Sequence, residues 1–420
     1  MAFYTAQLRV NARDTWLLTN RAYAWCLQGE VDNAIKDMTE VIRLDPSPDA
    51  YNARGSLWTD NSDYDKAIED YNTALRGNPT HASALNNRGV AYRWKRDFDR
   101  AILDYNESIR LEPISAVVFS NRAAAWALQG DFDRAIKEYT EALRIDPELV
   151  SAITERGLMW MEKGELDKAI ADLTTTMKLD STDPRAANHR GNAWLGKGNN
   201  EKAIEDYTAA LTINPKFVVA YTNRANIWSR QGAWDKAIAD FNEAVKLDPK
   251  NLGAIYNRGR AWAAKGDVDR SIADFTEVIR FEPKAVGAMH DRASLWTTKG
   301  DYAKAIADYE AALQASPDYL AVLNHFAWLL ATCPTDAHRN GKRAVALATR
   351  VCESTKWQNP YALETLAAAC AESGDFESAK KHLTKALEND ELAKNPDGAR
   401  ERLKLYEQNK LFRTAIVAKK

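Results

Sequence analysis

Hydrophobic and polar residues follow one another along most of the chain with the spacing of amphipathic α-helices. In one stretch Phe119, Ala123 and Trp126 recur at four- and three-residue steps, which places them on one face of a helix. A second helical pattern follows directly, in which Ala135 and Tyr139 supply the apolar face. The pattern therefore predicts two consecutive helices.

A tight turn is predicted between these two helices. Gly130 can adopt the left-handed conformation that ends a helix, and Asp131 can cap the helix that follows. Pro147 then prevents the second helix from continuing. Glycine recurs at the equivalent turn position as Gly29, Gly164, Gly198, Gly232, Gly266 and Gly300.

Prolines show that this two-helix unit repeats every 34 residues. The regular positions are Pro79, Pro113, Pro147, Pro215, Pro249, Pro283 and Pro317. Ser181 fills the one gap, and Pro46 precedes the series one residue short of register. A period of this length without strand signals indicates stacked helix pairs, each of which buries its apolar face against its neighbours.

Small residues recur where the helices are expected to approach closely. The first helices carry Ala22, Gly55, Gly89, Ala123, Gly157, Gly191, Ala225, Gly259 and Ala293. The second helices carry Ala34, Ala67, Ala101, Ala135, Ala169, Ala203, Ala237, Ser271 and Ala305. An aromatic column, predicted to fill the core, consists of Trp25, Trp58, Tyr92, Trp126, Trp160, Trp194, Trp228, Trp262 and Trp296.

This order of small, aromatic and proline positions resembles the tetratricopeptide repeat family over about residues 15–391. The resemblance implies an all-α fold: a right-handed superhelical α-solenoid of stacked antiparallel helix pairs, with about eleven repeats plus a C-terminal capping helix. It also implies that the first helices line a concave surface. A clamp of Lys and Asn for C-terminal carboxylates, known in the family, is not reproduced in these columns.

The period also predicts four segments. Residues 1–14 are a partial preceding repeat or an N-terminal cap, and residues 15–319 form nine regular repeats. Residues 320–391 form two divergent repeats, and residues 392–420 form a capping helix and tail. If the first segment belongs to an earlier repeat, the native start and any targeting signal lie upstream.

The rhythm changes near the end of the chain. A loop around residues 334–341 replaces the Gly-Asp turn, and a second helix resumes after it. In the tail, Leu411, Phe412 and Ile416 are apolar residues that could dock on the last helix.

Arginine occupies a packing position at which the family usually carries an aliphatic residue. These arginines are Arg21, Arg54, Arg88, Arg122, Arg156, Arg190, Arg224, Arg258 and Arg292. Sixteen residues after each comes an acid: Asp37, Asp70, Asp104, Glu138, Asp172, Asp206, Asp240, Asp274 and Asp308. In the divergent repeats the Arg slot holds Phe326 and Leu366, and the last acid slot holds His382. An unpaired buried guanidinium would be costly, so we predict that each Arg pairs with an acid of its own or an adjoining repeat.

The residue before each Arg forms a column rich in asparagine. Its candidate peptide-binding members are Asn20, Asn87, Asn121, Asn223 and Asn257. The resemblance places them on the concave face, where an amide can both donate to and accept from a peptide bond. Further candidates in the same groove are Asn192, Asn226, Trp94 and Tyr256. The alternative is that asparagine is simply common in this slot across the family.

Composition argues against several other functions. Lys and Arg number 57 against 59 Asp and Glu, and a formal net charge of −2 gives no long-range attraction for nucleic acid. The sequence contains no run of about 18 apolar residues, so no membrane-spanning helix is predicted. The four cysteines lack Cys-x-x-Cys spacing and suit a reducing compartment, so we expect a cytoplasmic location.

No enzyme chemistry is predicted. The histidines, His81, His189, His290, His325, His338 and His382, lack metal-ligand or triad spacing, so neither a metal nor a cofactor is expected. The sequence thus favours a non-catalytic scaffold that binds protein or peptide segments along its groove. A self-associating structural array, and a regulatory arm of a catalytic domain upstream of the chain, remain open as alternatives.

Overall fold

The computed structural model describes residues 1–389 and 397–415. Within these residues the chain forms 24 α-helices and one short 3-10 helix, and no β-strand. The chain divides into two compact units, Met1–Phe217 and Val218–Lys420. The all-α class predicted from the sequence is confirmed.

The first unit contains thirteen of the helices. They are α1 (Ala2–Val10), α2 (Thr15–Cys26), α3 (Val31–Leu44), α4 (Pro48–Asp60), α5 (Tyr64–Gly77), α6 (Ala82–Trp94), α7 (Phe98–Leu111), α8 (Ala116–Leu128), α9 (Phe132–Ile145), α10 (Val150–Glu162), α11 (Leu166–Leu179), α12 (Pro184–Gly196) and α13 (Asn200–Ile213).

The second unit continues the series. Its helices are α14 (Val218–Arg230), α15 (Trp234–Leu247), α16 (Leu252–Ala264), α17 (Val268–Phe281), α18 (Val286–Thr298), α19 (Tyr302–Ala315), α20 (Leu320–Thr332), a 3-10 turn (Asp336–His338), α21 (Gly341–Ser354), α22 (Pro360–Glu372), α23 (Phe376–Leu387) and α24 (Asp397–Glu407).

Consecutive helices pack as pairs, from α2 with α3 to α22 with α23. The eleven pairs and the additional α24 match the number predicted from the period. Within each unit the second helix of a pair also contacts the first helix of the next pair. First helices of adjoining pairs touch one another as well, for example α4 with α6 and α6 with α8. We call the surface formed by these first helices the first-helix face.

The turns inside the pairs form as the sequence predicts. Gly130 has a φ of +84°, and the Asp131 carboxylate accepts a hydrogen bond of 3.0 Å from the backbone N–H of Arg134. Two pairs place Ser62 and Arg96 at this left-handed position, with φ of 60° and 62°. Both residues follow first helices whose turn lacks a glycine.

The small-residue column explains the close contact inside each pair. A Cβ atom added to Gly89 would lie 2.7 Å from the fully buried ring of Tyr105. Gly55 meets Tyr71 at the same distance. A glycine in the first helix therefore makes room for a large ring on the second.

The aromatic column of the first helices fills the core only in part. Trp126 packs against the core but remains half-buried, and the Arg134 guanidinium lies 4.5 Å from its ring centre. Trp194 carries the Lys202 ammonium at 4.2 Å in the same way. In the regular repeats the fully buried rings are on the second helices, as Tyr105 is. Members such as Trp126 thus pack against the core as predicted, and from Trp58 to Trp296 each ring of the column also contacts a Lys or Arg of the following helix.

The four segments predicted from the period stay a prediction. The division after Phe217 falls inside the predicted regular stretch of residues 15–319. The predicted boundary between residues 391 and 392 lies outside the described residues.

Candidate functional site

Each arginine of the first helices pairs with the acid that follows it by sixteen residues. The shortest contacts run from Nη2 to a carboxylate oxygen over 2.6–2.8 Å. Where the acid is Asp, Nε donates to the second oxygen, as in the 2.8 Å bond from Arg88 to Asp104. This hydrogen-bonded pairing raises the pKa of Arg88. The predicted pairs are confirmed, and every one lies within a single repeat.

In arginines from Arg54 onward, the remaining guanidinium nitrogen reaches the preceding repeat in the pairs described next. Nη1 of Arg88 donates to Oδ1 of Asn72 over 2.7 Å, and Nη1 of Arg292 donates to Oγ1 of Thr276 over 2.9 Å. The acceptors seen in this role are Thr39, Asn72, Asn106, Thr140, Thr174, Asn242 and Thr276. Each stands two residues after an acid of the pairs, a restriction to Thr or Asn that the sequence analysis missed.

The arginine side chains thus form their hydrogen bonds with other side chains of the same chain. The carboxylate and the Thr or Asn oxygen together engage three nitrogens of a guanidinium such as that of Arg88. Since these donors are used inside the stack, the arginines favour a structural role over a basic surface for anionic ligands.

Asparagines on the first-helix face are hydrogen-bonded to one another. Asn121 donates to Asn86 over 2.9 Å, Asn86 donates to Asn87 over 3.1 Å, and Asn87 donates to Asn52 over 3.1 Å. This series joins α4, α6 and α8. The sequence analysis selected Asn87 and Asn121 but missed Asn52 and Asn86, which stand one position earlier in their repeats.

A shorter amide contact occurs in the second unit. Asn257 on α16 donates to Asn226 on α14 over 3.1 Å. Both side chains line a cavity of about 500 Å³, together with Arg230 and Arg260. Asn223, also on α14, is half-buried. The structure therefore brings two of the candidate asparagines to one cavity.

Three other candidates, Asn20, Asn192 and Trp94, lie on α2, α12 and α6. Asn20 donates back to the carbonyl of Trp16 on its own helix over 2.8 Å. Asn192 accepts a 2.7 Å hydrogen bond from the hydroxyl of Tyr207. Trp94 is 58% exposed. Its ring stacks on that of Tyr64, with centroids 6.3 Å apart.

Tyr256 belongs to a polar chain that the sequence analysis missed. Its hydroxyl donates to Asp291 over 2.8 Å, and Asp291 also contacts Nδ1 of His290 at 3.0 Å. Nε2 of His290 lies 2.7 Å from Nδ1 of His325. These residues come from α16, α18 and α20, and 35 residues separate the two histidines, as they separate Asn52 from Asn87.

Burial and hydrogen bonding set the charge of this chain. Burial alone would raise the pKa of Asp291, but hydrogen bonds from His290 and Tyr256 lower it. Burial and the adjacent Asp291 raise the pKa of Tyr256. Burial, followed by the charge of His290, lowers the pKa of His325. These shifts favour an ionised Asp291 and a neutral His325.

Among residues 1–389 and 397–415, no group of three or more His, Cys, Asp or Glu side chains could hold a metal ion. The four cysteines are free, and burial raises the pKa of Cys352 and of Cys370 to about 11. Over the same described part of the chain, none of the helices is both long and apolar enough for a membrane span.

Comparison with known families gives matches over more than half of the chain. Models described as tetratricopeptide repeat match residues 27–82, 59–116, 116–149, 184–217, 218–251 and 256–319. A curated relative, Hsp70-Hsp90 organizing protein 3 of Arabidopsis thaliana, is 30% identical over 83 residues. That match spans 20% of this chain and only 15% of the relative.

Several solved structures are similar. MamA protein is 26% identical over 41% of this chain and 94% of its own, with a TM-score of 0.38. YrrB, described as a TPR protein with an unusual peptide-binding site, is 19% identical over 45% of this chain and 97% of its own, with a TM-score of 0.39. A tetratricopeptide repeat protein from Parabacteroides merdae is 19% identical over 60% of this chain and 99% of its own, with a TM-score of 0.46.

Proposed function

Because the chain belongs to the tetratricopeptide repeat family, we propose that it is a non-catalytic scaffold that binds extended peptide or protein segments along its first-helix face. The observation that carries the proposal is the half-buried amide series on that face. The curated relative is named for organising two other proteins, and the matched repeats support a role of the same general kind.

The amides retain capacity for a ligand after bonding to each other. An asparagine side chain offers two donors and two acceptor positions. Asn87 uses one donor on Asn52 and one acceptor on Asn86. One N–H and one lone pair remain, which matches the needs of a single peptide unit. Contacts of this kind would bind a backbone with little dependence on its side chains.

The cavity beside Asn226 and Asn257 supplies a second type of contact. Arg230 and Arg260 line it, and Trp234 adds an aromatic wall. We propose that this cavity takes an acidic or carbonyl-rich part of the bound segment. A protein partner suits this mixed surface better than RNA, since RNA recognition would need a strongly cationic face.

One observation favours the alternative of a purely structural asparagine series. The amides donate across repeat boundaries, so they stabilise the contact between first helices whether or not a ligand binds. In that case the protein would act as a structural or self-associating array. The regulatory-arm alternative predicts a catalytic domain in a longer reading frame.

A capture experiment separates these functions. We would compare the partners retained by the wild type and by a variant with Asn87→Ala, Asn121→Ala, Asn223→Ala and Asn257→Ala, and expect the variant to lose most of them. Circular dichroism and light scattering would show whether the variant still folds and whether its assembly state has changed. Capture is compared at a temperature at which both proteins are folded.

The matched control replaces asparagines outside the first-helix face. Asn61 and Asn78 are exposed in the loops that follow α4 and α5, so Asn61→Ala with Asn78→Ala should leave capture unchanged. If the four-residue variant retains the same partners as the wild type, the proposed binding surface is wrong. A change in assembly state instead would support the self-associating array.

A further inference from the structure

A short segment near the end of the described chain, residues 410–415, returns to the first-helix face of α20. The backbone N–H of Thr414 donates to the carbonyl of Thr332 over 3.0 Å, and its hydroxyl donates to the same oxygen over 3.1 Å. Thr332 is the last residue of α20, so its carbonyl has no partner within the helix. Because this residue is buried, the segment supplies a donor that water does not.

Two side chains of the segment add specific contacts. The ring of Phe412 lies 6.0 Å from that of Trp328, and the Arg402 guanidinium sits 5.1 Å and 5.5 Å from these two rings. Nη2 of Arg413 lies 2.7 Å from Oε2 of Glu372, whose side chain is only 13% exposed. A contact site for an aromatic ring, at Trp328 and Arg402, therefore lies beside a contact site for a cation, at Glu372.

The receptor side of this contact is built on helices. Trp328 and Thr332 lie on α20, Glu372 on α22 and Arg402 on α24, where an ion pair with Glu364 of α22 fixes the guanidinium. The segment itself, by contrast, has no helical structure from residue 410 to 415. The arrangement is that of a preformed site holding a non-helical peptide.

A cavity adjoins the segment among the described residues. It has a volume of about 360 Å³, begins at Thr414 and Ala415 and continues along Trp328, His325 and Tyr309. Thr414 and Ala415 line one end of this cavity. A longer partner segment could therefore make the same contacts and extend further along the first-helix face.

We propose that Trp328, Thr332, Glu372 and Arg402 form a peptide-binding site that residues 412–414 occupy as an intramolecular ligand. A partner segment that carries an aromatic residue, then Arg, then Thr or Ser, competes for the same site. The inference rests on the proposed function in taking the first-helix face as the binding surface. Its residues are distinct from the asparagine series, so the two proposals can fail separately.

The contacts are few enough for exchange. Leu411 is 41% exposed and the Arg413 side chain is 27% exposed, so the segment is held mainly by one ring, one ion pair and two bonds to one carbonyl. A short tether gives an effective concentration of about 1 mM. For a tethered segment to be bound nine-tenths of the time, the same peptide supplied separately needs a Kd of about 0.1 mM.

The test uses a fluorescent peptide with the sequence of residues 410–415, Lys-Leu-Phe-Arg-Thr-Ala, titrated into the full chain. With Phe412→Ala and Arg413→Ala in the chain, the intramolecular segment is weakened, and the peptide should bind with a Kd of about 0.1 mM. The wild type should bind it about tenfold more weakly, because its own segment competes. Circular dichroism confirms that both chains retain the same helix content.

Control peptides and a site variant test the chemistry. Peptides in which the Phe is replaced by Ala, or the Arg by Glu, should bind at least tenfold more weakly. Glu372→Gln in the weakened chain should lower affinity for the Arg peptide while leaving that for an Arg→Ala peptide unchanged. Equal binding of the peptide to wild-type and weakened chains, or no binding to the weakened chain, overturns the inference.

Light scattering covers one further outcome. If the wild type forms dimers that the Phe412→Ala, Arg413→Ala variant loses, the segment occupies the site of a second copy, and the intramolecular assignment is wrong. Failure of the peptide to bind leaves the asparagine variant's capture result untouched. Unchanged capture by the asparagine variant, in turn, does not affect the peptide titration.

Discussion

In the regular repeats the guanidinium that pairs with an acid at the contact between the two helices belongs to the first helix of each pair. In the pair formed by α20 and α21, a guanidinium near this position belongs to the second helix. Arg343 of α21 lies 4.8 Å from the ring of Phe326, which occupies the usual Arg position. Arg343 also pairs with Glu310 over 2.6 Å, and Glu310 stands in the column that elsewhere holds Thr or Asn. The charge has moved outward while the core position has become apolar.

The difference in burial shows what each arrangement contributes. The side chain of Asp104 is 9% exposed, and that of its partner Arg88 is 21% exposed. Arg343 and Glu310 are 44% and 48% exposed. The regular repeats therefore depend on completing a buried polar cluster, whereas the divergent repeats depend on apolar packing around residues such as Phe326.

The largest expected effect comes from breaking one buried pair. Arg88→Leu leaves the Asp104 carboxylate buried without its cation and should lower the free energy of unfolding by about 3 kcal/mol. Adding Asp104→Leu removes the stranded charge and should restore most of that loss. Thermal unfolding followed by circular dichroism measures both. A double variant as unstable as the single one would show that the acid is not the cause.

A smaller effect is expected from the contact between repeats. Asn72→Leu removes the acceptor for Nη1 of Arg88 and should cost about 1 kcal/mol. Thr73→Val is the neighbouring control, because the Thr73 hydroxyl forms its hydrogen bonds with Glu69 and Arg76 of the same helix. Equal losses in the two variants would mean that the contact to the preceding repeat contributes nothing of its own.

The matching change in the divergent region should matter less. Arg343→Ala removes an exposed ion pair and a cation above Phe326, which together contribute no more than about 1 kcal/mol. The same unfolding measurement applies. If Arg343→Ala lowered stability as much as Arg88→Leu does, the proposed contrast between buried and exposed guanidinium groups would be wrong.

The smallest expected effect is the pH dependence of stability, which here comes from histidines of the divergent repeats. Burial lowers the pKa of His382 in the last acid slot, with contributions from Lys381 and Lys385, and burial and His290 lower the pKa of His325. A histidine in the unfolded chain has a pKa of about 6.5, so as the pH falls it binds a proton before the same histidine in the folded chain does. The stability that the neutral forms contribute is therefore complete above pH 6.5 and is lost as the pH falls through the lowered values.

Melting temperatures at pH 7.5 and 5.5 check this pH dependence. The drop between the two conditions should be smaller in a His325→Asn, His382→Asn variant than in the wild type. His325 faces His290 and, through it, Asp291, while His382 stacks on Trp357 at 5.7 Å. An identical drop in both proteins would assign the acid sensitivity to other groups.

The sequence predicts those features that depend on residues within one repeat. The helix pairs follow from the period, and the pairing of Arg with acid follows from their joint loss at Leu366 and His382. It failed where two columns of adjoining repeats meet. The contact from Arg88 to Asn72 and the bond between His290 and His325 depend on how neighbouring first helices approach, which the period alone does not specify.

The contact between repeats has a consequence for the loops. Arg54 reaches Thr39 across 15 residues, whereas Arg88 reaches Asn72 across 16, because the loop around Pro46 is one residue shorter. The hydrogen bond forms in both cases, at 3.3 Å and 2.7 Å. The side-chain contact between repeats is thus kept when the connecting loop is one residue shorter, so we expect the loops between repeats to tolerate small changes in length. They are the natural sites for grafting a tag or a binding loop without disturbing the scaffold.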